Sequence, residues 1–380
     1  MPLDRPGQTN PGHFQKEPCY FCPTMLAAIL PFLMTLATVP DTMPLMTPDP
    51  TLLAPATVRV DASKKEILID LPGIPLPSHT GHHGGGGFPP VVKFEMPLDA
   101  SLYGFRVEVV DGQGNQLPAG LIHHFNLIDP NSRELFLPIS RRVMAAGKET
   151  GPQQLPWLLF GLAYQKGALL VASGMLHNPT DTDYDDVRMR LVLQYVPGSR
   201  PWPFWEGYPF QLDVAFPVGD KSFELPTGVS TRSYEASPVV PGKIVAIGGH
   251  VHESATRIEL LDVTENKVIW AAAPILDADQ NVSGVPIGKL YRLGSLGYPI
   301  QPGRTYRVTV TYDNTTGAPI EAGGMGVVGG LFVPARGAAW PAANKGDSLF
   351  VADARHYLRV MTMTADSAGA AMSKEHIHQH

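Results

Sequence analysis

Residues 186 to 196, DVRMRLVLQYV, alternate: Val187, Met189, Leu191, Leu193 and Tyr195 fall on one side, Arg188, Arg190 and Gln194 on the other. A period of two belongs to a β-strand, and one apolar and one polar face belong to an antiparallel sheet that covers a core on one side only. RTYRVTVTYDN, residues 304 to 314, repeats the pattern, with Tyr306, Val308, Val310 and Tyr312 set against Arg307, Thr309 and Thr311. Shorter strand-like runs fill the space around both, among them 57 to 71 as two strands about a polar turn, 103 to 118, 210 to 218, 243 to 254, 256 to 263 and 267 to 273. The 38 glycines and 38 prolines are spread along the chain without a period. The expectation is an all-β protein. In the first half only the segment around Ser140 to Gly147 reads as helical.

At 380 residues the chain has room for two domains, each with its own core. The break is expected at residues 197 to 209, PGSRPWPFWEGYP, where four prolines and two tryptophans interrupt the alternation. Trp202 and Trp205 suggest a packed connection. That gives an N-terminal segment over 1–55, a first β domain over 56–200, a second over 201–335 and a C-terminal tail over 336–380. Net charge is -6 with no long basic run, which argues against a nucleic-acid partner.

The only two cysteines, Cys19 and Cys22, precede both domains, so neither domain can hold a disulfide or a thiolate-bound metal. The apolar run at 24–39 has the length of a signal-peptide core and reads as an export signal or membrane anchor, with a buried or docking helix as the other reading. On the first reading the chain is secreted, periplasmic or membrane-anchored. Residues 40 to 56 read as a linker. Sequons at Asn281 and Asn314 would accept glycan in a glycosylating host.

Histidines carry the chemistry. IVAIGGHVHES, residues 244 to 254, closes a strand with His250 and His252, which share a face and can address one ion. His123 and His124, in AGLIHHFNLID, would point opposite ways unless the backbone bulges. His177 ends the strand-like run LLVASGMLHNPT, with Met175 two residues before it as a core residue. Met325 lies in the glycine-dense run EAGGMGVVGGLFVP. Imidazoles with a thioether favour copper, and a three-histidine set also suits zinc. His79, His82 and His83 beside a run of four glycines read first as a loop and second as an accessory metal site, and His376, His378 and His380 as a frayed end; as metal sites they would point to copper storage or delivery.

The order of these motifs (an HH pair, H-N-P at a strand end, H-x-H opening the second half, then a Gly-Gly strand with a methionine) resembles the type II copper monooxygenases, the peptidylglycine alpha-hydroxylating and dopamine beta-monooxygenase group. The resemblance covers roughly residues 56 to 335. It implies two tandem jelly-roll-like antiparallel β-sandwich domains, each holding one copper, two ions per chain. His123, His124 and His177 would hold the electron-storing copper. His250 and His252, with Met325, would hold the copper at which dioxygen hydroxylates a C–H bond, ascorbate or another one-electron reductant supplying electrons. Two departures stand out: Met325 precedes the Gly329–Gly330 pair where the family's methionine follows it, and the sandwiches lack the animal enzymes' disulfides. No matching set of substrate-gripping residues is present, so the substrate, small molecule or peptide, is left open. The competing expectation is a non-catalytic copper-binding or assembly protein on the same double sandwich, forming homo-oligomers.

Overall fold

The computed structural model describes residues 49–80, 87–198, 201, 203–216, 221–278 and 280–360. Cys19, Cys22, the run at 24–39, His82, His83, Trp202 and the three terminal histidines lie outside the described residues. The described chain is all-β apart from short 3-10 turns and one α-helix.

In the first half the strands are β1 (Thr57–Asp61), β2 (Glu66–Asp70), β3 (Val92–Glu95), β4 (Ala100–Asp111), β5 (Ile122–Arg133), β6 (Ser140–Gly147), β7 (Phe160–Tyr164), β8 (Leu169–Leu176) and β9 (Tyr184–Pro197). They form two sheets, with neighbours in the order β3-β8-β5-β6 and β7-β4-β9-β2-β1. The alternation in β9 is realised: Val187, Met189, Leu191, Leu193 and Tyr195 are buried and pack with Phe125 and Leu127 of β5 and Leu170 and Ala172 of β8. The outward arginines are paired with acids: Arg190 donates to Asp70 of neighbouring β2 at 2.6 and 3.1 Å, and Arg188 to Asp186 of its own strand at 3.1 and 2.7 Å.

The second half contributes β10 (Tyr208–Asp213), β11 (Gly228–Ala236), β12 (Gly242–Val251), β13 (Ala255–Asp262), β14 (Lys267–Ala272), β15 (Tyr306–Asn314) and β16 (Gly326–Pro334), in sheets ordered β10-β16-β12 and β11-β15-β13-β14. Tyr306, Val308, Val310 and Tyr312 of β15 are buried against Ile247 and Val251 of β12. Strand partners change between Glu206, which pairs with β7, and Tyr208, which pairs with β16. The two cores nevertheless exchange residues. Leu135, Phe136, Leu137 and Ile139, from the loop between β5 and β6, belong to the second core, and Val245, Leu331 and Val333 belong to the first.

Three expectations are corrected. Ser140 to Gly147 is strand β6 rather than helix, because pairing with β5 along His124↔Gly147 to Asp129↔Arg141 outweighs the helical preference of its Ala, Met and Arg residues. The segment after 336 is not a simple tail. Trp340 Nε1–H donates to the Arg133 carbonyl at 2.9 Å and its ring stacks on Tyr208 at 4.7 Å. Helix α1 (Ser348–Val360) begins at an Asp347 cap that accepts the Leu349 N–H at 2.9 Å. Its Ala354 and Tyr357 cover Ile128 and Val171 on the outer face of the first sheet. Arg142 clamps Asp353 there with bonds of 2.9 and 2.5 Å. Finally, the Asn314 side chain is buried and donates to the carbonyls of Leu225 and Ala318, so it offers no glycan acceptor. Among the described residues no helix is long and apolar enough to cross a membrane.

Candidate metal centre

Five histidines meet where the first-half sheet containing β5, β6 and β8 faces β12. The register between β5 and β8 steps from His124↔Met175 to Ile122↔Leu176, which leaves His123 as the extra residue of a β-bulge. The bulge brings the two adjacent rings to one side, with centroids 4.1 Å apart. The His177 N–H donates to the Leu121 carbonyl at 3.0 Å, and its ring stands edge-on to His123 at 5.7 Å. Met175 sits directly opposite His124 and is half-buried.

In β12, Ile247 and Val251 turn into the second core, so His250 and His252 project from the opposite face, toward the first half. Their rings are 5.6 Å apart, and His250 is 5.6 Å from His124. Among the described residues, the three side chains whose ligand atoms converge are His124, His250 and His252, with one atom from each inside 4.8 Å of the others. Imidazole nitrogens about one ion stand at most about 4.2 Å apart, twice a bond of about 2.1 Å. Shifts of about half an ångström would therefore close the set.

Glu149 sets the electrostatics. It lies two residues beyond β6 in a turn closed by Thr150 N–H to the Gly147 carbonyl at 3.0 Å, and by Gly147 N–H to Thr150 Oγ1 at 3.0 Å. Its carboxylate folds back over Gly147, where any Cβ would stand 2.4 Å from Oε2, so glycine leaves it room. Oε1 is 2.8 Å from His250 Nδ1. Burial opposes ionisation of this carboxyl, but the hydrogen bond and charge of His250, with His124 beyond, prevail and pull it down to about 2. A carboxylate accepts only, so Nδ1 is the nitrogen that carries the proton whenever the ring is neutral, and in that neutral form the lone pair falls to Nε2. Nε2 is buried and has no hydrogen-bond partner among the described residues. An acceptor nitrogen, desolvated and aimed among two further imidazoles, fits a metal ion.

The grouping differs from the one the resemblance implies. His124 joins the H-x-H pair across the junction, while His123 and His177 adjoin the cluster without converging on a third ligand atom. Met325 lies between the end of a short strand, Ile320–Gly324, and β16. Continuing the Val251↔Gly326 register one step sets it opposite His252. The Tyr312 hydroxyl ties both backbones, accepting the Met325 N–H at 2.9 Å and the His252 N–H at 3.3 Å and donating to the Met325 carbonyl. Sequence reading missed Glu149 because nothing local marks it; its role comes from a partner 101 residues away.

No protein-family model matches the chain, and no curated protein sequence matches it. Among solved structures, the chain is similar to the VP2 subviral particle of infectious bursal disease virus at 10% identity and TM-score 0.23, covering 78% of this chain and 75% of that one. It is also similar to the N-glycanase F, PNGase F, at 9% identity and TM-score 0.29, covering 69% of this chain and 95% of that one. A third similarity, to Sulfolobus turreted icosahedral virus, has 9% identity and TM-score 0.19, covering 72% of this chain and 61% of that one.

Proposed function

We propose that the chain is a copper-dependent, monooxygenase-like oxidoreductase whose metal centre is His124, His250 and His252 at the junction of the two sandwiches. The observation that supports this reading best is the unpartnered Nε2 of His250 among ligand atoms drawn from both halves. Bound copper would supply one-electron chemistry, by which dioxygen, two electrons from ascorbate or another one-electron reductant, and two protons from that reductant or from water convert a C–H bond to C–OH and release the second oxygen atom as water. The chain's own part is to hold the ion on three imidazoles while leaving it reachable. All three rings are half-buried rather than enclosed, so a small molecule or the side of a peptide can approach. Export or membrane anchoring through the run at 24–39 belongs to the same proposal.

Reconstitution with copper, desalting and metal analysis test it. The expected result is one copper per chain, lost in His124→Ala and in His250→Ala, kept in His177→Ala, and accompanied by ascorbate-dependent oxygen uptake. A wild-type chain that retains no copper, or a His124→Ala variant that retains it, overturns the assignment. Two coppers, one of them lost in His177→Ala, would instead restore the two-site arrangement of the resemblance. Zinc held in preference to copper would remove the redox reading.

One observation favours the second reading, a non-catalytic copper-binding or assembly protein. The rings of His177, His123, His124, His250 and His252 follow one another at 5.7, 4.1, 5.6 and 5.6 Å, with no gap that would separate two centres. A copper-loaded chain inert to ascorbate and oxygen, and forming homo-oligomers by light scattering, would support it.

A further inference from the structure

We propose, resting on the metal reading above, that Glu149 is the positioning residue of this centre: a carboxylate of the first half that fixes the ring and tautomer of a histidine in the second. Three observations meet here. Glu149 Oε1 lies 2.8 Å from His250 Nδ1, a short charge-assisted bond. The other nitrogen of the same ring has no partner and is buried. The carboxylate is itself fixed, with its side chain 13% exposed, by the Gly147–Thr150 turn that ends β6.

Alone, imidazole exchanges its proton between two nitrogens, and an ion must displace the wrong tautomer before it binds. A carboxylate on Nδ1 removes that competition, makes Nε2 the donor and raises its basicity. It also sets the ring plane, which a backbone on the far side of the junction cannot do alone. The neighbouring Lys148–Glu253 pair at 3.3 Å bridges the same junction, but an ammonium only donates and cannot accept the Nδ1 proton, which makes Lys148 the control.

The experiment has two arms on the full chain. In the metal-free protein at about pH 8, long-range proton–nitrogen correlation of labelled histidine reads the His250 tautomer. Wild type and Glu149→Gln are expected to show Nδ1–H, because the glutamine carbonyl still accepts, and Glu149→Ala a mixture of tautomers. In the second arm, competition with a chelating dye reads copper affinity. Glu149→Ala is expected to bind about 10- to 100-fold more weakly, Glu149→Gln to recover most of that loss, and Lys148→Ala to match wild type. Unchanged affinity in Glu149→Ala overturns the proposal, as does an Nε2–H tautomer in the wild type. A wild type that shows Nδ1–H yet binds no metal defeats the metal reading while leaving the Glu149–His250 pair established.

Discussion

Glu134 shows what the junction costs at the scale of one side chain. It is fully buried, its Oε1 accepts the Gln211 N–H at 2.9 Å, and Oε2 has no partner among the described residues. Burial pushes its carboxyl up to about 7, although donors from Gln211 and Leu135 and the charges of Arg141 and Arg142 pull the other way. A raised carboxyl means that the folded state holds its proton more tightly than the unfolded state does. Stability therefore falls as pH rises from about 4.5 to about 7, by on the order of 3 kcal/mol in total, and is flat above that window. Glu134→Gln is expected to flatten that decline in denaturant titrations across the window; a wild-type slope no different from the variant's would count against it. Such residues are illegible in sequence. ELFLPI announces an apolar loop and says nothing of where its first carboxyl is buried, just as the KET of residues 148 to 150 gives no hint of Glu149's partner.

At the scale of elements, the hydroxyl of Tyr312 on β15 joins the end of β12 to the start of β16 by three hydrogen bonds. Tyr312→Phe leaves the N–H groups of His252 and Met325 without that acceptor. The expected loss is about 1–3 kcal/mol of stability, with weaker metal retention because His252 is no longer tied. Equal unfolding midpoints in urea for variant and wild type would contradict this. The strands were legible because β9 and β15 alternate apolar and polar residues along most of their length, with Val192 as an apolar exception on the arginine side of β9. The H-x-H pair was legible for the same reason. Strand β6 was not, since SRRVMAAG has helical propensity and becomes strand only through β5. Helix α1 was readable in principle: Phe350, Val351, Ala354 and Tyr357 recur at helical spacing behind an Asp347 cap. The alanine-rich stretch around it masked the period.

For the whole molecule, the proposed centre, drawn from both halves, would couple metal to folding. An ion held by His124 and by His250 and His252 binds the folded chain and not the separated segments. At a free concentration a hundredfold above its dissociation constant it adds about 2.7 kcal/mol. The unfolding midpoint of the wild type is expected to rise with copper in calorimetry and that of His124→Ala to stay where it is. An equal rise in both would place the ion elsewhere. The partition of ligands could not be read from sequence, because which histidine of an adjacent pair crosses to the other half depends on one bulge at His123 and on how two sandwiches meet.

The exchange of core residues also has a consequence in time. Leu135, Phe136, Leu137 and Ile139 have no core of their own in the first half; their partners run as far as Phe332. Phe332 follows Ile139 by roughly 190 residues, which at about 5–20 residues per second takes roughly ten to forty seconds of synthesis. Through that interval four large apolar side chains wait on the ribosome for the surface that will cover them, and a nascent chain paused in the second half is a substrate for chaperones.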